Sequence, residues 1–196
     1  MDVSEQGELV ERARRDREAF GELYDQFYSQ IFSYVLKRVA NIETAQDITS
    51  DIFFKALKNL GQYRSRDNVP FSSWLYRIAT NQVNDHFRSK RRKHRVISLE
   101  EASEADHILS SSGSSVEAEV LRAEEELRRQ EKFLILHESI SKLPIKYQEV
   151  IALRYFENKQ RREIAQILGK PEGAVKSSLE RGLEKLREMM GQNATF

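Results

Sequence analysis

The stretch REIAQILGKPEGAVKSSLERGLEKLRE, Arg162 to Glu188, carries the pattern that decides the fold. Ile164, Ala165 and Leu168 recur on one side of a helix, and Val175, Leu179, Leu183 and Leu186 form the inner stripe of the next. Gly169 stands between them, where a sharp turn needs a backbone angle that side chains resist. A small Ala165 before that glycine and Val175 after it let two helices cross closely. The result is a helix-turn-helix, whose second helix suits a DNA major groove. Glu172, Gly173, Lys176, Ser177 and Glu180 face outward near the start of that helix, where base edges are reached, while Lys170, Arg181 and Lys185 are placed for phosphates. The same segment also reads as a plain helical hairpin with a solvated charged face.

Helical spacing extends through most of the chain. Phe20, Leu23, Phe27, Ile31, Tyr34 and Val35 line one face of a helix starting near Arg17. In a second helix Ala45, Ile48, Ile52 and Ala56 make one stripe, with Phe53, Leu57 and Leu60 beside it and Gly61 in the place of a C-terminal stop. A polar loop from Gln62 to Pro70 precedes a third helix, about Phe71 to Arg91, with Leu75, Ile78, Ala79, Val83 and Phe87 inward. Periodicity fails between Val96 and Ser115, and SSSGSS at Ser110 to Ser115 has the composition of a linker. Val116 to Lys142, rich in Glu, Arg and Leu, reads as helical at least in its second half, and Pro144 marks a break. The fold class is therefore all-α: two small helical domains joined by a flexible acidic linker, the second holding the helix-turn-helix.

Composition agrees with this. Of 196 residues only eight are Gly and three Pro, whereas 32% are charged, a balance that favours helices over strand-rich folds. No apolar run approaches the roughly 20 residues of a membrane span, so no membrane insertion is expected. The chain has no cysteine, which excludes disulfides and thiolate metal sites, and its N-terminus, MDVSEQGELVERARRD, is too charged for a secretory signal. A cytoplasmic location follows as an expectation. Net charge is +1, but the average hides a pattern. Arg88 to Arg95, RSKRRKHR, holds six Lys/Arg and no acid; Leu99 to Glu131 has ten acids against three bases; Arg154 to Met190 returns to nine bases against six acids. Two basic regions separated by an acidic stretch suit a protein that touches nucleic acid at two places. Catalysis has little to stand on. His86, His94, His107 and His137 lack metal-ligand spacing, and no phosphate loop or nucleophile elbow appears, so neither an enzyme nor a cofactor is expected.

A second signal is FSSWLYRIATNQVNDHFRSKRRK, Phe71 to Lys93. Tyr63, Phe71, Trp74, Tyr76 and Phe87 crowd a loop and a helix that ends in a cationic run. Aromatic rings stack on unpaired bases for roughly 1–3 kcal/mol each, while Lys and Arg follow the backbone. Taken alone, the segment reads equally well as core aromatics with a solvated helix end.

Together these residues resemble the extracytoplasmic-function (group 4) sigma factors of RNA polymerase. The first-domain likeness runs from about Arg17 to Lys93 and rests on EAFGELYDQFY (Glu18 to Tyr28), AQDITSDIFFKAL (Ala45 to Leu57) and FSSWLYRIATNQVNDHFR (Phe71 to Arg88). The second runs from Leu143 to Met189, through LPIKYQEVIALRYFE (Leu143 to Glu157) and the helix-turn-helix. The resemblance implies a sigma region 2-like domain over 1–93, a linker over 94–130 and a region 4-like domain over 131–196.

It also implies roles. Asp47, Ile48, Asp51, Phe54 and Lys55 stand where such factors dock on core RNA polymerase, with Ser50 and Asp51 in places where the family usually has Gln and Glu. Tyr63, Phe71, Trp74, Tyr76, Arg77, Asn81, Arg88, Lys90, Arg91 and Arg92 match the part that binds the −10 element of promoter DNA and captures a flipped base. Tyr76 and Asn81 would form the base pocket, and the cations would hold phosphates. Lys170, Glu172, Gly173, Lys176, Ser177, Ser178, Glu180, Arg181 and Lys185 fall in the −35 reader. There the chain departs from the pattern: Ser178 and Glu180 fill places that often hold Arg and His, Lys170 replaces an apolar residue, and Arg161-Arg162 replaces a common Tyr-Glu. Base preference therefore does not carry over. The expected partners are core polymerase, promoter DNA and an anti-sigma factor, with a monomeric free state. The acidic linker, including Glu100, Glu101, Glu104 and Asp106, would thread the polymerase's positive RNA channel or act as a solvated tether. Two other readings compete. A repressor-type helix-turn-helix regulator explains Arg162 to Glu188 but not Phe71 to Lys93, and a sigma-like regulator would bind polymerase without opening promoters.

Overall fold

The computed structural model describes residues 3–63, 69–96 and 133–193. Its helices are α1 (Val3–Ala13), α2 (Arg17–Val39), α3 (Ile42–Asn59), α4 (Phe71–Val96), α5 (133–142), α6 (Ile145–Ile151), α7 (Arg161–Leu168) and α8 (Glu172–Asn193). A short 3₁₀ turn, Leu60–Gln62, follows α3, and a π turn, Ala152–Phe156, continues α6. Most of the acidic segment expected to link the halves, with Glu100, Glu101, Glu104 and Asp106, lies outside the described residues. So do the first part of Val116 to Lys142 and most of the loop before Phe71.

Local chemistry explains the helix boundaries. Asp16 caps α2 by accepting from the Glu18 amide at 2.9 Å, and Asn41 caps α3 by accepting from the Thr44 amide at 2.8 Å. Ala40, at φ 52, closes α2 with its amide on Leu36 O at 2.8 Å. Gly61 lies just past the end of α3, as its sequence position suggests, in a right-handed 3₁₀ turn, and the left-handed glycine among the described residues is Gly169, at φ 63.

The first half packs α2, α3 and α4 around Leu23, Phe27, Ile31, Tyr34, Ile52, Leu75, Ala79 and Val83, all buried. Helix α1 lies outside the expected set. It packs on α2 and α4 through Leu9, Val10 and Ala13. The Gln6 side chain accepts from the Ser72 amide at 3.3 Å, satisfying a donor in the first turn of α4. In the second half α6 packs along α8, and α7 crosses α8 through Ile164, Ala165, Ile167, Val175, Leu179 and Leu186. Ile167 takes the buried place expected for Leu168, which is half-buried, and Leu183 is half-buried as well. Each fully buried Leu or Ile contributes about 1.5–3 kcal/mol, so these stripes are what hold the helices together. The two halves also pack on each other: α4 lies against α7, and the π turn lies against α2.

Candidate nucleic-acid interface

The helix-turn-helix is formed as its sequence requires. Gln160 N–H donates to the Glu163 carboxylate at 2.7 Å, starting α7. Gly169 ends it in the left-handed region, and the Lys170 amide returns to Ala165 O at 3.0 Å. The Ala174 and Val175 amides then bond Pro171 O at 3.0 and 3.2 Å, opening α8. Glu172, Gly173, Lys176, Ser177, Glu180, Arg181 and Lys185 are exposed along the outer face of α8, and Ser178 is half-buried. Lys176 sits 3.8 Å from Glu180, a loose surface pair worth little in water. Beside the start of α8 lies a cleft of about 430 Å³ lined by Arg154, Arg161, Arg162 and Tyr155. In the sequence, Arg161-Arg162 stand out only as a departure from the family pattern. Their convergence with Arg154, which is anchored on Lys159 O at 3.1 Å, depends on the π turn.

On α4, Asn81, Arg88, Lys90, Arg91 and Arg92 are exposed, with Arg88 held by Asp85 at 3.0 Å. The aromatic residues behave differently. Tyr63 and Phe71 are core residues, 3% and 1% exposed, their rings in edge contact at 5.5 Å. Tyr63 spends its hydroxyl on Val69 O at 2.9 Å, and Trp74 is half-buried against both rings. These three form a pedestal for the N-terminus of α4, in which Tyr63 and Phe71 are closed to a base while Trp74 keeps part of its surface exposed. Tyr76 is also 1% exposed, packed edge-on to Tyr34 at 5.5 Å.

Tyr76 and Arg77 are held by the second half. The Tyr76 hydroxyl donates to Glu157 Oε2 at 2.6 Å, and Lys159 Nζ sits 4.8 Å above its ring. Burial, with the neighbouring Glu157 carboxylate, pushes the Tyr76 hydroxyl well above its ordinary range, so it remains a donor. Arg77 Nε donates to Ile167 O at 3.0 Å and Nη2 to Gln166 O, so its guanidinium covers the last carbonyls of α7. Lys170 Nζ, expected on a phosphate, is bonded to the Glu149 carboxylate. Glu149 Oε2 accepts from Asn84 Nδ2 at 2.9 Å. Lys37 Nζ reaches Phe156 O at 3.2 Å and Glu157 at 3.4 Å. Arg38, 3% exposed, donates to Tyr34 Oη at 3.3 Å and to Asn84 Oδ1 and Gln148 Oε1 at 3.4 Å each. This buried polar seam went unread in the sequence. Arg38 itself carried a signal, since it continues the inner stripe of Ile31, Tyr34 and Val35.

The outer face of α3 is a separate surface. Asp47, Asp51, Phe54 and Lys55 are exposed, Phe54 by 67%, with Leu57 beside it at 48%. Ile48 does not join them: it is 7% exposed and packs into the core with Ala45 and Ile52. Helical geometry requires this, because Ile48 and Ile52 are one turn apart on the inner stripe. The α3 candidate therefore loses Ile48 and gains Leu57.

Residues 23–93 match Sigma-70 region 2, and residues 133–186 match Sigma-70, region 4. The chain is 34% identical over 190 residues to the ECF RNA polymerase sigma factor BldN of Streptomyces coelicolor, covering 95% of this chain and 66% of that protein. It is 31% identical over 175 residues to the ECF RNA polymerase sigma factor SigW of Bacillus subtilis, covering 89% and 90%. With the RNA polymerase sigma-H factor of Pseudomonas aeruginosa it shares 30% identity over 184 residues, 91% and 90%. Among solved structures, CnrH in complex with the cytosolic domain of CnrY superposes with a TM-score of 0.64 at 20% identity, covering 96% of this chain and 99% of that one. RpoE from Bartonella quintana, in complex with the anti-sigma factor NepR, gives 0.62 at 17% identity, covering 88% and 96%. These two likenesses show a shared fold.

Proposed function

The chain belongs to the extracytoplasmic-function sigma factors of RNA polymerase, and on that premise we propose how its surfaces divide the work of promoter-specific transcription initiation. The outer face of α3 docks on core polymerase. Asp47 and Asp51, one turn apart, face a basic partner helix, and the exposed Phe54 and Leu57 supply apolar area to be buried on docking. The α4 row of Asn81, Arg88, Lys90, Arg91 and Arg92 follows the separated −10 strand, with cations on phosphates and Asn81 as the polar reader of a captured base. Tyr76 and Arg77 join that surface once the second half has moved off them. Helix α8 enters the major groove at the −35 element with Glu172, Lys176, Ser177 and Glu180 toward base edges and Arg181 and Lys185 toward the backbone. Arg154, Arg161 and Arg162 hold a phosphate at the mouth of their cleft.

The observation that carries this reading is the pairing, in one chain, of a formed helix-turn-helix with an exposed cationic row on α4. A repressor-type regulator leaves the α4 row and the bare Phe54 without a use. The complex of RpoE with the anti-sigma factor NepR supports an anti-sigma partner for this chain too. Footprinting of the holoenzyme on a promoter tests the division of labour. Two protected patches are expected, and Lys176→Ala with Arg181→Ala should erase the upstream one alone. Loss of both patches, or of neither, contradicts the assignment.

A further inference from the structure

We propose that α1 is a positioning element for −10 recognition, with Gln6 and Arg14 as its positioning residues. They hold the two stems of the segment that joins α3 to α4 and, through Tyr63, set where Trp74 meets a promoter strand. Arg14 secures the first stem: its Nη2 donates to Tyr63 O, and its Nη1 is fixed on the Glu11 carboxylate at 2.8 Å. The buried Gln6 secures the second, its Oε1 accepting from the Ser72 amide at 3.3 Å. The Ser73 and Trp74 amides turn back to Pro70 O at 3.0 and 3.3 Å, so the Ser72 amide differs in taking its partner from α1.

Arg14 lies one residue past α1, but its amide still bonds Val10 O at 3.2 Å, which carries the helix on to it. Gln6 and Arg14 therefore stand eight positions apart on one helical rod, about 12 Å at 1.5 Å per residue. That rod is itself fixed, because Leu9, Val10 and Ala13 are buried against α2 and α4. One rigid element thus sets the separation of two stems that belong to different helices. The first clamp reaches Trp74 through ring contacts. The Tyr63 ring centroid lies 5.7 Å from that of Trp74 and 5.5 Å from that of Phe71, which in turn stands 5.4 Å from Trp74. The Tyr63 hydroxyl ties the same ring to the second stem through Val69 O at 2.9 Å. In close packing, a shift of Tyr63 moves the surface on which Trp74 leans. Glu5, Glu8 and Glu11 face outward from α1 and repel a phosphate chain, so α1 acts on DNA only through these contacts.

This inference rests on the reading of Trp74 and the α4 row as the −10 surface. Trp74 is the chain's one tryptophan, so fluorescence of the free factor reports this site. Arg14→Ala should shift its emission to longer wavelength and open it to acrylamide quenching. Arg14→Lys, which keeps a cation near Tyr63 O, should restore most of the wild-type signal. Open-complex formation by the holoenzyme is then compared on two templates: a promoter identified by start-site mapping, and the same promoter with one −10 base replaced. The ratio of the two rates does not depend on the fraction of factor that is folded. Arg14→Ala should lower that ratio about tenfold, the scale of one hydrogen bond to a charged group, and Gln6→Ala, at the other stem, about threefold. Equal loss on both templates, or a reduced ratio with Trp74 fluorescence unchanged, overturns the positioning role. A wild-type holoenzyme that does not distinguish the templates would remove the −10 reading itself, and this inference with it.

Discussion

Replacing Arg38 with Met should cost about 2.5–5 kcal/mol of stability. The side chain is 3% exposed and donates to Tyr34, Asn84 and Gln148 at 3.3–3.4 Å, the long end of the normal range. Its guanidinium also lies 5.4 Å from the Phe87 ring centroid. Tyr34 would keep its hydrogen bond with Thr80 at 3.0 Å, so its hydroxyl stays satisfied. Asn84 Oδ1 and Gln148 Oε1 would each lose a donor, at roughly 1–2 kcal/mol apiece once buried. Removing the cation from the Phe87 ring adds about 0.5–1 kcal/mol. Met restores most of the buried volume, so the cavity contribution is small. Urea and thermal unfolding followed by far-ultraviolet circular dichroism would read this directly. A fall in Tm of about 5–20 °C is expected for a chain of this size. A double-mutant cycle with Gln148→Ala should return a coupling energy of about 1 kcal/mol, because the two residues share one bond across the seam. A loss below about 0.5 kcal/mol with zero coupling would show that Arg38 is solvated in solution and refute the buried network.

Other perturbations separate the surfaces. At Gly182 a Cβ would sit 3.1 Å from both Ile151 Cδ1 and Tyr147 Cβ, so Gly182→Val should destabilise by about 1–3 kcal/mol in chemical denaturation. Gly182→Ala should be milder, since the gain in helix propensity, up to about 1 kcal/mol, offsets the crowding. Phe54→Ala should leave Tm unchanged yet weaken core polymerase binding about 30-fold by titration, as expected for an exposed aromatic anchor. Arg161→Ala with Arg162→Ala should reduce the salt slope of −35 duplex binding by about 0.9, the value for the one phosphate no longer neutralised, in affinity measurements across a salt series.

Helices α2, α3, α4 and α8 were legible because their apolar residues repeat at helical spacing and their cores are built from that stripe. Helix α1 was not, because the short stretch around Leu9, Val10 and Ala13 makes a weak apolar stripe and its docking depends on a distant partner, the start of α4. The turn at Gly169 was readable because it needs a left-handed angle; Gly61 marked the end of α3 without one, because a 3₁₀ exit needs none. The outer face of α8 and the cationic end of α4 were read from charge and spacing, whereas the roles along α4, that of Asn81 included, came from the family resemblance. The aromatic cluster at Tyr63, Phe71 and Trp74 left its two readings open until packing placed it in and around the core. Ile48 was assigned to a surface that its own helical register turns away from. The seam was hidden for a different reason. Its members, Lys37, Arg38, Asn84, Gln148, Glu149 and Glu157, are matched only across about 50 to 120 positions of chain, and polar pairing over such distances leaves no period to read.

That this chain directs RNA polymerase to promoters can be tested by adding the purified factor to sigma-free core polymerase, transcribing genomic DNA and sequencing the 5′ ends. Discrete starts are expected, sharing a two-part upstream motif and disappearing with Phe54→Ala. Core polymerase that binds the factor yet yields no specific starts would contradict the assignment.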